Sequence, residues 1–270
     1  MTAAPPPLHR PRLYLLDVEG TVAPISFVYE QLFPYARAHI AAFLKQHLNR
    51  QDVQDDLKLL AEENRAELSP AESSQASPTY GIEIRNELHA RAYLLWLMDQ
   101  DRKSTALKSI QGKIWKAGFE SGELKGTLFA DVPDAFARWS RTGKIAIYSS
   151  GSVEAQRLLF RHSIYGDLTP SIAAYFDTRT GIKTAPASYS TIAAAMHLDP
   201  SPGVDPGIDP SPGVDPGIAP SQVLFFSDVV RELDPARAAG LDTRLVMREG
   251  NAPVEDAHGH TLIHSFDEME

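Results

Sequence analysis

Residues 13–21 read LYLLDVEGT, a short apolar run that ends in two carboxylates. The uninterrupted run is typical of a strand that is buried on both faces of a parallel sheet. Asp17 and Glu19 follow it, and Gly20 and Thr21 come next. Two like charges one residue apart are unfavourable at a strand end unless a cation compensates them. A divalent metal ion with oxygen ligands is the candidate that this stretch suggests.

The charge and composition exclude several classes of function. The 270 residues carry a formal net charge of −9 and include no cysteine. A negative charge disfavours nucleic acid and anionic membranes as partners, because both require a basic surface. The lack of cysteine rules out disulfides, thiolate nucleophiles and Cys-based metal sites. The sequence shows no signal-peptide core, and the run AYLLWLM is too short to span a bilayer, so we expect a cytoplasmic protein with no membrane partner.

Strand and helix patterns alternate from about residue 126 onward. The strand candidates are the short apolar runs KIAIY, AYFDT, QVLFF and TRLVM, and segments with a helical period separate them. The segment DVPDAFARWSRTG reads as a helix that Asp131 caps, with Pro133 in its first turn and Gly143 at its end. This alternation predicts an α/β fold with a doubly wound parallel sheet.

The stretch between the first strand and this alternation is helical in character. Apolar residues recur at helical spacing in two series, Leu32, Ala36, Ile40, Leu44 and Leu48, then Ile84, Leu88, Ala92 and Leu95. No strand pattern interrupts them. We therefore expect a helical cap domain at 29–125, inserted into a discontinuous core formed by 1–28 and 126–270.

The decapeptide DPSPGVDPGI occurs at 199–208 and again at 209–218. Its proline and glycine content is incompatible with a helix or a central strand. We interpret 199–218 as an extended loop inserted in the core. Two alternatives stay open. The aspartates could bind calcium, although they lack the regular spacing of an EF-hand, and the repeat could serve as an interaction scaffold.

Polar side chains follow the predicted strands at the points where the strands end. In chain order they are Asp17, Glu19, Ser149, Ser150, Lys183, Ser227 and Asp228. Ligands of open parallel sheets bind outside the carboxyl ends of the strands, so we expect these groups at one edge. Three carboxyl groups suit Mg²⁺, and a lysine with hydroxyls suits a phosphate. The combination suits phosphoryl transfer, with one carboxylate as nucleophile and another as general acid and base.

Each of these groups alone has an ordinary structural explanation, such as a helix cap, a turn or a solvated surface charge. Their joint order after separate strands carries the prediction. That order, Asp-x-Glu-Gly-Thr, Ser-Ser-Gly-Ser, Lys and Ser-Asp, resembles the haloacid dehalogenase superfamily. Most phosphatases of that superfamily have Asp-x-Asp, whereas this chain has Glu19 at the second position. The glutamate at this position makes the chain more similar to one particular family of the superfamily.

That family is enolase-phosphatase E1, also called acireductone synthase. The chain is similar to it in DVEGTVAPISFV, DRKSTALKSIQGKIWKAGFESGELKG, FADVP, IYSSGSVEAQRLLF and YFDT. The similarity covers nearly the whole chain, although the repeat has no counterpart. It implies a haloacid dehalogenase-like, Rossmannoid core with a helical cap, and a Mg²⁺-dependent enzyme of methionine salvage. The family's metal-binding positions match Asp17, Glu19 and Asp228, and its substrate-binding positions match Ser149, Ser150 and Lys183.

The substrate implied by this resemblance is 2,3-diketo-5-methylthiopentyl-1-phosphate, a small-molecule partner. It would be enolised and then dephosphorylated to 1,2-dihydroxy-3-keto-5-methylthiopentene, with Asp17 as nucleophile and Glu19 as acid and base. We expect a monomer. One alternative is a phosphatase of the same superfamily that acts on another small ester without enolase activity. Another is an inactive phosphate sensor, which would lack the nucleophile or a metal carboxylate that this chain retains.

Overall fold

The computed structural model of the chain describes residues 10–66, 77–79, 82–196 and 218–269. The chain divides into two units, one made of Met1–Phe27 with Lys125–Glu270 and the other of Val28–Leu124. The repeat at 199–218 lies outside the described residues apart from Ile218. Its interpretation as a loop therefore stays a prediction. Among the described helices, none has the length and apolar content that a bilayer-spanning segment requires.

A six-stranded parallel sheet forms the centre of the first unit, in the order β3-β2-β1-β4-β5-β6. The strands are β1 (Leu13–Leu16), β2 (Lys144–Tyr148), β3 (Ala174–Phe176), β4 (Val223–Ser227), β5 (Asp242–Val246) and β6 (Thr261–Ile263). The chain lays β2 and β3 on one side of β1 and then returns to place β4 on the other side. The predicted doubly wound α/β sheet is confirmed.

Eight α-helices are described. They are α1 (Phe33–His47), α2 (Gln51–Arg65), α3 (Glu87–Asp99), α4 (Thr105–Ser121), α5 (Val132–Trp139), α6 (Val153–Arg161), α7 (Pro186–Ala195) and α8 (Val230–Ala238). Helices α1–α4 form the second unit, and α5–α8 belong to the first unit. A π-helix, Phe27–Leu32, precedes α1, and 3-10 turns lie at Thr169–Ser171, Pro220–Gln222 and Phe266–Glu268.

Strand β1 is covered on both faces, which explains its unbroken apolar sequence. Leu13 and Leu15 belong to a core cluster that includes Tyr189 of α7. On the opposite face Tyr14 stacks on Trp139 of α5, with ring centroids 4.8 Å apart. Successive side chains of a strand point to opposite faces, so the alternation follows from strand geometry. All four residues of β1 are buried.

The helical unit has its own core, to which all four of its α-helices contribute buried residues. The series that contains Leu88 predicts α3, but it misidentifies the buried face. Leu88 is 65% exposed, whereas Tyr93, Leu94 and Leu97 are buried. The buried residues form a second apolar series, Ala90, Tyr93, Leu94 and Leu97, which has the same helical period as the predicted one. The face that carries Tyr93 has the larger apolar area to remove from water, so it is the one that packs inward.

Asp131 precedes α5 at the cap position, but its side chain makes no cap hydrogen bond. It accepts instead from Arg248 Nη1 at 2.7 Å and from the backbone N–H of Phe266 at 2.6 Å. The predicted cap is wrong because a buried guanidinium needs a carboxylate partner more than a helix end does. Strand β6 was not expected, since it is three residues long and two of them are exposed.

Candidate active site

The carboxyl ends of β1 and β4 lie side by side where the strand order reverses, which is where open α/β sheets bind ligands. Asp17 follows β1, and its backbone N–H donates to Phe226 O of β4 at 3.0 Å. The residue is 4% exposed. Ser227 ends β4 and Asp228 follows it. The register of two neighbouring strands thus brings the first and last predicted carboxylates to one edge.

Lys183 joins two carboxylates at this edge. Its Nζ atom forms ion pairs with Asp17 Oδ1 and with Glu232 Oε2, the latter at 3.0 Å, and its side chain is 9% exposed. Burial by itself disfavours the charged lysine, but the charges of Asp17 and Glu232 outweigh it and raise the pKa of Lys183. The ammonium group therefore stays protonated over the physiological range.

Glu19 is held by the end of β2. Ser149 Oγ donates to Glu19 Oε2 at 3.3 Å, and the backbone N–H of Gly151 donates to Ser149 Oγ at 3.0 Å. Burial, followed by the nearby charge of Asp17, raises the pKa of Glu19. A raised pKa favours the protonated carboxyl group, which is the form that can donate a proton.

Gly20 makes room for the last carboxylate. Its φ of +73° lies in the left-handed region, and a Cβ atom there would overlap the Asp228 carboxylate. Both observations explain why glycine follows Glu19 in the sequence. Burial, followed by the charge of Asp17, raises the pKa of Asp228 to about 7. The carboxyl groups are thus crowded enough to resist simultaneous ionisation.

The predicted site residues differ in how closely they converge. Asp17 and Lys183 are in direct contact, Glu19 contacts Ser149, and Asp228 lies against Gly20. Ser150 follows Ser149 in the chain but is exposed, whereas Ser149 is buried. The edge predicted from the sequence therefore exists as a cluster, and the roles of its members stay predictions.

Comparison with known proteins identifies the family of this chain. Residues 11–240 match the model of the haloacid dehalogenase-like hydrolases. The Enolase-phosphatase E1 of Synechococcus elongatus is 48% identical over 256 residues, which are 94% of this chain and 96% of that protein. The chain belongs to the enolase-phosphatase E1 family. The resemblance drawn from the sequence is confirmed.

Solved structures support the fold of this enolase-phosphatase family member. The UTR4 protein of Saccharomyces cerevisiae is 34% identical, with a TM-score of 0.70 over 96% of this chain and 99% of that one. The putative HAD-hydrolase YfnB of Bacillus subtilis, solved with bound magnesium, is 14% identical, with a TM-score of 0.51 over 96% and 97% of the two chains. At that identity the second likeness concerns the fold alone.

The sequence reasoning missed two residues of this enolase-phosphatase site. Glu232 accepts from Ser227 Oγ at 3.1 Å and pairs with Lys183. It lies in the first turn of α8, the helix that follows Asp228, and an acidic residue so soon after a strand-end carboxylate was a usable signal. Tyr189 contacts the backbone carbonyls of Lys183 and Glu232 through its hydroxyl, at 2.7 and 2.9 Å. No local pattern marks Tyr189, because its second partner, Glu232, is 43 residues away in sequence.

Proposed function

We propose that this chain is a bifunctional, Mg²⁺-dependent enolase-phosphatase of methionine salvage. Its substrate is 2,3-diketo-5-methylthiopentyl-1-phosphate, and its products are the acireductone and phosphate. The observation that carries the proposal is the buried Asp17 beside the protonated Lys183, with a separately held carboxyl group, Glu19, at the same edge. The membership of the enolase-phosphatase E1 family supports the choice of substrate.

The donor set suits Mg²⁺ by its charge and chemistry. Burial and the charge of Asp17 raise the pKa values of Glu19, Asp228 and Glu232, so ionising all of these carboxyl groups together is unfavourable unless a cation offsets their repulsion. Within the described ranges, no three His, Asp or Glu side chains converge on one point as a metal cluster. The ion would be held at the positions of Asp17, Glu19 and Asp228, together with water, which Mg²⁺ usually retains.

The ion would neutralise the charge between the phosphate and the attacking carboxylate. Asp17 then acts as nucleophile: a carboxylate oxygen bonds to phosphorus, and the bond from phosphorus to the ester oxygen breaks. Glu19 gives its proton to the departing oxygen. In the second step, which hydrolyses the aspartyl phosphate, Glu19 takes a proton from water as the water oxygen bonds to phosphorus. The bond between phosphorus and the Asp17 oxygen breaks, and Asp17 is released. Lys183 holds the phosphoryl oxygens, since its ammonium stays charged throughout.

The enolase step precedes phosphate transfer and needs a base beside the diketone. A proton leaves the carbon that bears the phosphate ester, and the adjacent carbonyl oxygen gains one. We assign this transfer to Glu19, because its carboxyl group lies at this edge and its raised pKa makes it a stronger base than an ordinary glutamate. Glu19 is one methylene longer than the aspartate usual in the superfamily, and that length extends its reach.

The experiment that tests this function follows enol absorbance and phosphate release together, from the diketo phosphate with Mg²⁺. The expected result is enol formation followed by phosphate. Asp17→Asn should form enol without releasing phosphate, and Glu19→Gln should lose both steps. The matched control is Asp242→Asn, an exposed change of the same chemistry at the start of β5. If the diketone stays untouched while simple phosphate esters are hydrolysed, the chain is a phosphatase without enolase activity.

We propose the unit Val28–Leu124 as the cap domain that recognises the methylthio tail. A cavity of about 300 Å³ within this unit is lined on its apolar side by Phe33, Leu97, Met98 and Leu107, and Arg37, Asp101, Arg102 and Gln111 also line it. A thioether is apolar and polarisable and favours such surroundings. Met98→Ala should raise the KM for the diketo phosphate and leave turnover of a phosphate ester without a tail unchanged. Equal effects on both substrates would contradict the assignment.

A further inference from the structure

Asn251 lies beyond β5 and places its side-chain amide beside the turn that follows β1. Its Nδ2 atom donates to Gly20 O at 2.9 Å and to Val246 O at 3.3 Å. Its Oδ1 atom is buried, and it has no hydrogen-bond partner among the described residues. A buried acceptor without a donor costs free energy and calls for an explanation.

The two backbone contacts fix the orientation of this amide. Exchanging the oxygen and nitrogen would put the amide oxygen against the carbonyls of Gly20 and Val246, where acceptor would meet acceptor. The orientation therefore follows from the backbone and leaves Oδ1 directed at whatever lies beyond Gly20.

Oδ1 of Asn251 shares its surroundings with the carboxylate of Asp228. A Cβ atom built on Gly20 would lie 3.2 Å from Asn251 Oδ1 and would overlap Asp228 Oδ2. Both oxygens therefore lie near one point beside the Gly20 α-carbon, within reach of a single bridging water molecule. Both are acceptors, so a group placed there must donate hydrogen bonds. Water bound to Mg²⁺ does so, because the ion keeps several waters and polarises their hydrogens.

We propose that Asn251 is a positioning residue of the metal site, which holds a metal-bound water through Oδ1 while Nδ2 fixes the Gly20 turn. The inference rests on the proposed function, since it needs Mg²⁺ at Asp17 and Asp228. Asn251 does not touch the substrate. It acts by orienting the ion's water shell, and partners of this kind typically change metal affinity by about 10–100-fold when removed.

A purely structural role for Asn251 makes a different prediction. If the residue only holds the Gly20 turn, its loss disturbs the site for every cation alike. If Oδ1 holds a water of the ion, its loss weakens Mg²⁺ more than Ca²⁺. Ca²⁺ exchanges its waters readily and takes more protein ligands, whereas Mg²⁺ dehydrates reluctantly. The ratio of Mg²⁺ to Ca²⁺ affinity therefore separates the two roles.

The test measures Mg²⁺ and Ca²⁺ binding to the full chain by calorimetry after chelator treatment. Wild type should bind Mg²⁺ and Asp228→Asn should lose that binding. If wild type binds no Mg²⁺, the proposed function itself fails at its metal site. Asn251→Ala should weaken Mg²⁺ binding about 10–100-fold and Ca²⁺ binding distinctly less. Equal weakening of both ions, or none, would overturn the role given to Oδ1.

Two further variants keep the result independent of folding. Asn251→Asp retains an acceptor oxygen but loses both N–H donors, so it should keep at least the wild-type ratio of Mg²⁺ to Ca²⁺ affinity. A fall in that ratio as large as that of Asn251→Ala would assign the effect to the lost donors and overturn the proposal. The matched control is Asn86→Ala, which removes a helix cap in the helical unit and should leave both affinities unchanged.

Discussion

The pair Asp131–Arg248 offers the sharpest test of what holds the first unit together. Arg248 Nη1 donates to Asp131 Oδ2 at 2.7 Å, and the two side chains are 8% and 6% exposed for Asp131 and Arg248. The guanidinium lies between two aromatic rings, 4.6 Å from the centroid of Phe129 and 4.5 Å from that of Phe266. Its Nε donates to Thr21 O at 3.2 Å, in the turn that carries the site.

Asp131→Asn removes the negative charge and leaves Arg248 buried. Breaking a buried pair in this way costs about 3–5 kcal/mol. The two rings contact the cation with or without the charge of Asp131, so they do not change this cost. We therefore expect the free energy of unfolding of the first unit to fall by about 3–5 kcal/mol. That loss is a large part of the 5–15 kcal/mol that stabilises a typical domain.

The assay must report on the first unit alone. Trp139 belongs to it and stacks on Phe226 at 5.2 Å, whereas the two other tryptophans, Trp96 and Trp115, lie in the helical unit. Urea unfolding followed by fluorescence, in a background with Trp96→Phe and Trp115→Phe, isolates the transition of the first unit. An unchanged m value would show that only stability has changed.

The control is Asp267→Asn, the same chemical change beside another arginine. Asp267 contacts Arg138 at 3.5 Å, and both side chains are well exposed, so its loss should cost at most about 1 kcal/mol. A cost for Asp131→Asn no larger than that of the control would refute the reasoning. Despite burial, hydrogen bonds from Arg248 and Phe266 lower the pKa of Asp131, so its contribution is present above about pH 4 and is lost as pH falls further.

Three further changes test other contacts. Gly20→Ala adds a Cβ atom that overlaps the Asp228 carboxylate at a left-handed φ, so Mg²⁺ affinity and phosphate release should both fall, by calorimetry and a phosphate assay. Tyr189→Phe removes the hydrogen bonds that its hydroxyl donates to two backbone carbonyls and should lower the free energy of unfolding by about 1–3 kcal/mol in urea. Deleting 199–208 should leave turnover unchanged, because the backbone N–H of Ile218 bonds back to α7 and holds the segment's ends together. A loss of turnover there would favour a role for the repeat.

The fold could be predicted where local patterns decide it. The runs LYLL and KIAIY are bounded strands because their residues are buried on both faces, and the structure gives them the same limits. Strand β6 shows the opposite case. Its three residues gain their conformation from pairing with β5. No sequence pattern within Thr261–Ile263 predicts that pairing. Helix α3 shows a similar dependence on long-range contacts, because packing against the other helices determines which of its two apolar series is buried.

The candidate site shows the same difference between local features, which the sequence predicts, and long-range contacts, which it does not. A sequence indicates which polar residues follow which strand, because strand ends are local, and parallel pairing then places those ends at one edge. It does not indicate which side chain each of them contacts. Lys183 pairs with Glu232 across 49 residues, and Asn251 reaches Gly20 across 231. Such pairs depend on the register of strands that the sequence predicts only as separate segments.

These long-range contacts also separate the site into parts that act on different steps. One network joins Lys183 to Asp17 and Glu232, and it controls the charge of the proposed nucleophile. Another joins Ser149 to Glu19, and it orients the proposed proton carrier. Asp17 and Glu19 both follow β1, but their partners Glu232 and Ser149 follow β4 and β2, so a change in one network should alter its own step first. Glu232→Gln should therefore slow phosphate release more than enol formation, whereas Ser149→Ala should slow both, because Glu19 serves both steps.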